Sequence, residues 1–221
     1  MSDVEVRYGA AVALPRTSLS VAPGEAVALM GPSGSGKTTL LDCITGLTTP
    51  TYGTVEVMGR PMAGMSAAQR ATLRREHLGL IYQSPELLPE LDVAENVALT
   101  LLFDRTPRNT ALAAARSALS AVGLSEVSRM RPEQLSGGEA QRVAVARALV
   151  RETVGLVIAD EPTASLDAEN ARIVTDLLVA HAKDQGAGVL LATHDPAVAD
   201  RCDRIVTLVH TSHRSEHVEV S

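Results

Sequence analysis

Residues 31–38, Gly-Pro-Ser-Gly-Ser-Gly-Lys-Thr, constrain this chain more than any other stretch. They fit G-x-x-x-x-G-K-[ST] at every fixed position, between an apolar run at 25–30 and a segment of helical spacing at 38–45. Gly31, Gly34 and Gly36 let the backbone curl so that successive N–H groups point inward. With the helix N-terminus these groups form a concave anion site. Pro32, Ser33 and Ser35 complete the loop, Lys37 can reach the β- and γ-phosphates, the Thr38 hydroxyl can ligate Mg²⁺, and Thr39 is the next residue assigned to the nucleotide. A glycine-rich strand-to-helix turn without a ligand would share the pattern, but the flanking elements supply the context a phosphate site needs. Kinases, GTPases and many ATPases use such loops, so the motif alone names only a nucleotide.

The apolar pattern around this loop alternates between two periods. Runs at 25–30, 78–82, 154–159, 188–193 and 204–209 are short and continuously apolar, as in strands covered on both faces. Segments at 38–45, 67–75, 111–122, 139–150 and 168–182 carry helical spacing. Strand and helix in alternation predict an α/β fold with a mainly parallel core sheet, and the phosphate loop at 31–38 makes the expectation a P-loop NTPase. Residues 4–21 and 53–57 look β-rich, with turn signals at Tyr8-Gly9 and Pro23-Gly24, and predict a small N-terminal antiparallel part. Residues 86–150 break the alternation and read as helices and loops. Residues 1–221 are therefore expected as a single domain: an α/β core with its β part over 1–85 and 151–221, and an inserted helical subdomain over 86–150. The polar residues 211–221 are expected as an edge strand or a frayed tail.

Leu156-Val-Ile-Ala-Asp160-Glu161 puts two adjacent carboxylates after an apolar strand. In a parallel sheet the carboxyl ends of strands face the ligand crevice. Asp160 can hold Mg²⁺, and Glu161 can orient or deprotonate an attacking water. A GTPase would usually carry an Asn-Lys-x-Asp tetrad to read its base, and none is present. The pair therefore favours ATP hydrolysis.

Charge and composition narrow the partners. The chain has 20 Lys+Arg against 26 Asp+Glu, a net charge of −6, which argues against binding nucleic acid by bulk electrostatics. Only 2% of residues are aromatic, too few for a base-stacking platform. No apolar run approaches the roughly 20 residues that span a bilayer; the stretch at 97–103 is short and flanked by Glu95 and Asp104. The N-terminus does not read as a secretory signal. Cys43 and Cys202 lack a framework spacing and are expected as reduced thiols. The expected location is cytoplasmic, with any membrane role supplied by a partner.

Leu135-Ser-Gly-Gly-Glu-Ala-Gln-Arg142 opens a helix, with Ser136 and Glu139 in capping-box spacing. The same residues could be a helix cap and nothing more. Two glycines at a helix N-terminus nevertheless make a second anion site. One nucleotide has no need of two such sites in one subunit, so the second is expected to serve a nucleotide held by another copy.

At this point the sequence resembles the nucleotide-binding domain of ATP-binding cassette (ABC) transporters, with motifs in family order over nearly the whole chain. The phosphate loop is GPSGSGKT at 31–38, the signature LSGGE at 135–139, and the Walker B segment LVIADE at 156–161. The Q-loop glutamine is Gln83 in LIYQ, the D-loop Ser165-Leu166-Asp167, and the switch histidine His194 in ATHD. Tyr8 in RYG matches the aromatic that stacks on adenine, although the stretch before it is shortened. The resemblance implies that two copies pair head to tail, with ATP between the phosphate loop of one and Ser136, Gly137, Gly138, Glu139 and Asp167 of the other. It implies that His194 bridges Glu161 and the γ-phosphate. It implies that Gln83 touches Mg²⁺ and the attacking water, and that integral membrane permease subunits are driven by closure and opening of the pair. The Gln83-Ser-Pro-Glu-Leu-Leu-Pro stretch resembles the branch of lipoprotein-release, macrolide-export and cell-division ATPases.

Two rival classes remain: a soluble non-transport ABC ATPase, and a non-hydrolysing structural cassette. The first usually carries inserted coiled coils, zinc modules or a second cassette, and the second loses Glu161, His194 or Lys37. His210, His213 and His217 cluster without a carboxylate or cysteine framework and give no metal assignment. Arg74, Arg75, Arg129 and Arg131 are expected as solvated surface.

Overall fold

The computed structural model describes residues 1–209; the histidine cluster at 210–217 and the expected edge strand or tail at 211–221 lie outside the described residues. Five strands form one parallel sheet: β3 (Ala26–Met30), β7 (Leu78–Ile81), β8 (Leu156–Asp160), β9 (Gly188–Thr193) and β10 (Arg204–Thr207), in the order β10-β3-β9-β8-β7. Every residue of β9 is buried, which is why the sequence there is apolar without alternation. Alternate residues serve different cores. Val189 and Leu191 face one cluster with Val143, Val174 and Leu178; Leu190 and Ala192 face the other with Leu14, Leu29 and Leu40. Truncating Leu190 or Leu191, both fully buried, to alanine would cost about 2–5 kcal/mol through the cavity left behind.

The second core is closed by an antiparallel sheet of β1 (Ser2–Tyr8), β2 (Ala11–Thr17) and β4 (Tyr52–Thr54), in the order β2-β1-β4. A two-stranded hairpin, β5 (Glu56–Val57) and β6 (Arg60–Pro61), turns through Met58 and Gly59, both at positive φ. That matches the twist of a two-residue hairpin turn. The α/β class, the parallel sheet and the small antiparallel part are as the sequence predicts.

Helix α1 (Lys37–Thr45) follows β3, and α2 (Ala67–His77) runs into β7, its N-terminus closed by a capping box between Ser66 and Gln69. Between β7 and β8 lie α3 (Val93–Phe103), α4 (Arg108–Ala121), a short 3-10 turn (Pro132–Gln134) and α5 (Gly137–Leu149). Among the described residues this span holds no strand. The apolar stretch at 97–103 belongs to α3, which Asp92 caps with Glu95. Helix α4 starts at Arg108, directly after Pro107 and three residues before its apolar period. Helices α6 (Ala168–Gln185) and α7 (Pro196–Ala199) flank β9. No helix among the described residues is long and apolar enough to cross a membrane.

Two expectations need correction. The run at 204–209 stops pairing as a strand at Thr207, although the Leu208 N–H still donates to the Met30 carbonyl at 2.7 Å. Arg74, Arg75 and Arg131 are not merely solvated. Arg74 Nη1 donates to the Thr45 carbonyl at 3.0 Å, Arg75 pairs with Asp104 at 3.0 Å, and Arg131 bonds the Glu90 carbonyl. Each finds an orphaned helix-end carbonyl, a loop carbonyl or a carboxylate that a local sequence reading cannot bring near.

Candidate nucleotide site

Parallel strands put their carboxyl ends on one edge, and that edge collects the site. Beyond Met30 the chain turns through residues 31–36 into α1. Gly36 sits at φ 96, and a Cβ there would lie 2.6 Å from the Ala13 carbonyl oxygen, so both backbone conformation and space require glycine. Lys37 Nζ donates to the Gly31 carbonyl at 2.7 Å and to the Pro32 carbonyl at 3.4 Å. Ser35 is buried, and its Oγ has no protein partner. A buried hydroxyl without a partner beside a curl of backbone N–H groups fits an anion that would complete its bonding.

Asp160 closes β8, and its Oδ2 accepts from the Thr38 hydroxyl at 3.0 Å across 122 residues of sequence. Burial pushes the Asp160 carboxyl up; the bond from Thr38 opposes this and the neighbouring Glu161 charge adds to it. Glu161 has the left-handed backbone of φ 48, uncommon for a residue with a side chain. Its N–H donates to the Ala192 carbonyl at 3.0 Å, which ties this bend to β9. One Glu161 oxygen lies 3.6 Å from Lys37 Nζ and the other 2.8 Å from His194 Nδ1.

A cavity of about 750 Å³ opens over the loop, lined by residues 33–39, Gln83, Asp160, Glu161 and His194 among others. Its oxygen donors suit Mg²⁺: one carboxylate and one hydroxyl already in contact, with the Gln83 amide on the rim. Mg²⁺ characteristically takes one or two protein oxygens and fills the rest of its octahedron with waters and substrate phosphates. Among the described residues no group of three or more His, Cys, Asp or Glu gathers into a dedicated metal cage.

Ser136, Gly137, Gly138 and Glu139 are not among the residues lining this cavity. They open α5 as a reciprocal cap: the Ser136 Oγ accepts from the Glu139 N–H at 3.3 Å, and Glu139 Oε2 accepts from the Ser136 N–H at 2.8 Å and from its hydroxyl at 2.7 Å. The Ser136 hydroxyl and N–H hold the Glu139 carboxyl below the ordinary range. A Cβ on Gly138 would fall 2.5 Å from the Asn170 side chain, so that glycine lets α5 approach α6. Asn170 in turn donates to Asp167, the cap of α6, through its N–H at 2.8 Å and its amide at 3.0 and 3.1 Å. The signature and Asp167 are thus one cluster, joined by a residue that sequence reasoning missed. Tyr8 is 62% exposed at the end of β1 and does not line the cavity.

Two further residues escaped the motif reading. Gln141 is buried, and its amide donates to the Tyr82 carbonyl at 3.1 Å. Arg147 donates to the Pro85 and Glu86 carbonyls at 2.6 and 2.7 Å. A Gln on the buried side of α5 was the available signal, since such a group is rarely buried without a partner.

Known proteins resemble this chain in sequence and in fold. The chain is 47% identical over 195 residues to the lipoprotein-releasing system ATP-binding protein LolD 1 of Rhodospirillum rubrum, covering 88% of this chain and 86% of that protein. It is 47% identical over 191 residues to LolD of Bordetella pertussis, covering 86% and 82%. The fold is similar to the dimeric structure of MJ0796, a bacterial ABC transporter cassette, with a TM-score of 0.85 and 34% identity over 94% of this chain and 93% of that one. It is also similar to a post-hydrolysis dimer of MJ0796 bound to ADP and Pi, with a TM-score of 0.84 and 34% identity over 94% and 92%. The family model for the ABC transporter matches residues 14–164. On these grounds the chain belongs to the ABC transporter family, as an ATP-binding domain.

Proposed function

We propose that this chain is the ATP-hydrolysing subunit of a transporter, working as a head-to-tail pair of copies against separate membrane-embedded permease subunits on the cytoplasmic face of the membrane. The observation that carries the reading is the placement of Glu161 between Lys37 Nζ and His194 Nδ1, beside the Thr38–Asp160 contact. Residues 1–85 and 151–221 are read as the core and its β part, and 86–150 as the helical subdomain of one cassette. The likeness to the lipoprotein-releasing LolD proteins supports placement in the lipoprotein-release branch.

In this reading the loop N–H groups, Lys37 and the flanking Ser33, Ser35 and Thr39 cradle the triphosphate. Tyr8 is assigned to the adenine. Thr38, Asp160 and Gln83 would hold Mg²⁺, which would neutralise phosphate charge. Glu161 takes the proton of the attacking water as its oxygen bonds to the γ-phosphorus and the bond to the β–γ bridging oxygen breaks, releasing ADP and phosphate. His194 fixes the Glu161 carboxylate and faces the γ-phosphate. Ser136, Gly137, Gly138, Glu139 and Asp167 of a second copy complete the site. ATP then binds the closed pair better than the open one, and that difference drives the partner. The presence of Lys37, Glu161 and His194 together favours this over a non-hydrolysing cassette. Turnover of the Glu161→Gln variant tests it: a drop of about 100-fold or more is expected, and unchanged turnover would refute the assigned base.

A further inference from the structure

We infer that Arg147 and Gln141 are positioning residues that fasten the segment carrying Gln83 to the helix that opens at Ser136. The inference rests on the proposed roles of Gln83 and residues 136–139.

The Gln83 side chain is exposed. Its location on the cavity rim is therefore set by the backbone that carries it rather than by packing. That backbone is held on both sides of Gln83 from one helix. Gln141 donates to the carbonyl just before it, at Tyr82, at 3.1 Å. Arg147 donates through Nη2 to Pro85 at 2.6 Å and through Nη1 to Glu86 at 2.7 Å. Glu86 adopts a left-handed backbone of φ 48, and the guanidinium holds the carbonyl of that same residue. Among the described residues no carboxylate lies within salt-bridge distance of Arg147, so its fork is committed to main-chain oxygens. A planar fork can bridge two successive carbonyls; a lysine ammonium acts as a single point and cannot reproduce that geometry.

The same helix begins at the Ser136 cap. A smaller cavity, about 410 Å³, is bounded by Gln83 and Ser84 on one side and Gly137 and Gln141 on the other. The helix N-terminus offered to a second copy and the glutamine facing the protomer's own cavity thus sit on one linked body.

The test is a double-mutant cycle on ATP turnover, with Arg147→Lys and Gln141→Leu each made in the presence of Gln83 and of Gln83→Ala. Arg147→Lys should lower kcat about tenfold and leave ATP affinity of the protomer unchanged. In the Gln83→Ala background it should lower kcat by less than about twofold, because the group it positions is gone. An equal penalty in both backgrounds, or an unchanged kcat for both variants, would overturn the inference. Amide hydrogen exchange on the protein without nucleotide gives a second readout: the Leu88 N–H, which donates to Asn96 Oδ1 at 2.8 Å, should exchange faster in Arg147→Lys while 137–149 keep their protection, and unaltered exchange at Leu88 would overturn it. If Gln83→Ala alone leaves turnover intact, the role assigned to Gln83 fails, and the exchange experiment still decides whether the clamp exists.

Discussion

His194 Nδ1 lies 2.8 Å from Glu161 Oε2 although 33 residues separate them in sequence. Glu161 follows β8 and His194 follows β9, and the parallel pairing of those strands brings their ends together. Lys37, beyond β3 on the far side of β9, reaches the other Glu161 oxygen at 3.6 Å. One carboxylate beyond β8 is therefore addressed from the ends of two other strands.

That geometry makes Glu161 and His194 one unit. His194→Ala should lower turnover about 100-fold. Combined with Glu161→Gln it should add little further loss, because groups acting together do not contribute independently. Steady-state turnover of the two single variants and the double variant checks this, and penalties that multiply would separate the two residues.

Lys37 bonds loop carbonyls at 2.7 and 3.4 Å and stands over the cavity. Lys37→Ala should weaken triphosphate binding roughly 10- to 100-fold, the scale of a lost charge-assisted hydrogen bond. Titration calorimetry with ATP measures it, and an unchanged dissociation constant would contradict the phosphate role.

The glycines of the two anion sites should respond differently. Gly36→Ala forces a side chain into φ 96 and against the Ala13 carbonyl, and should destabilise the fold by about 1–3 kcal/mol. Gly137 opens a helix, and a Cβ there would meet nothing within 4 Å, so Gly137→Ala should leave the thermal midpoint unchanged or slightly raised. Thermal unfolding of both variants tests the contrast.

Acidification should destabilise the chain. Arg204 holds Glu25 low, the Asp92 N–H and Arg108 hold Glu95 low, and the Ser136 hydroxyl and N–H hold Glu139 low. A depressed folded value means the unfolded chain binds more protons as pH falls. The stabilisation is complete above the ordinary carboxylate value of about 4.3 and is lost as pH drops through the lower folded values. Burial raises Asp42 and Asp160 and works in the opposite direction. The thermal midpoint should therefore fall between pH of about 5 and 3, and fall less in Glu139→Gln.

Much of this was legible in the sequence because it depends on local pattern. The five apolar runs became the five strands of the parallel sheet, since strands buried on both faces carry no alternation. The phosphate loop was legible because Gly36 answers a backbone requirement that its neighbours in sequence announce. Contacts across the fold were not legible. The Thr38–Asp160 bond spans 122 residues, and the Arg147 contacts span 61 and 62. Arg74 reads as a surface charge until α2 packs against the end of α1, where the Thr45 carbonyl lacks a helical partner. Asn170 carries no motif of its own, and its importance appears only when Gly138 lets the helices approach.

In the proposed function each copy owns half of a hydrolytic centre. Light scattering on Glu161→Gln with and without ATP, beside the Ser136→Arg/Glu161→Gln double variant, decides it. ATP should double the mass of the first protein, while the second should bind ATP at the same affinity per protomer and stay monomeric. A double variant that still dimerises on ATP, or a Glu161→Gln protein that saturates with ATP as a monomer, would contradict it.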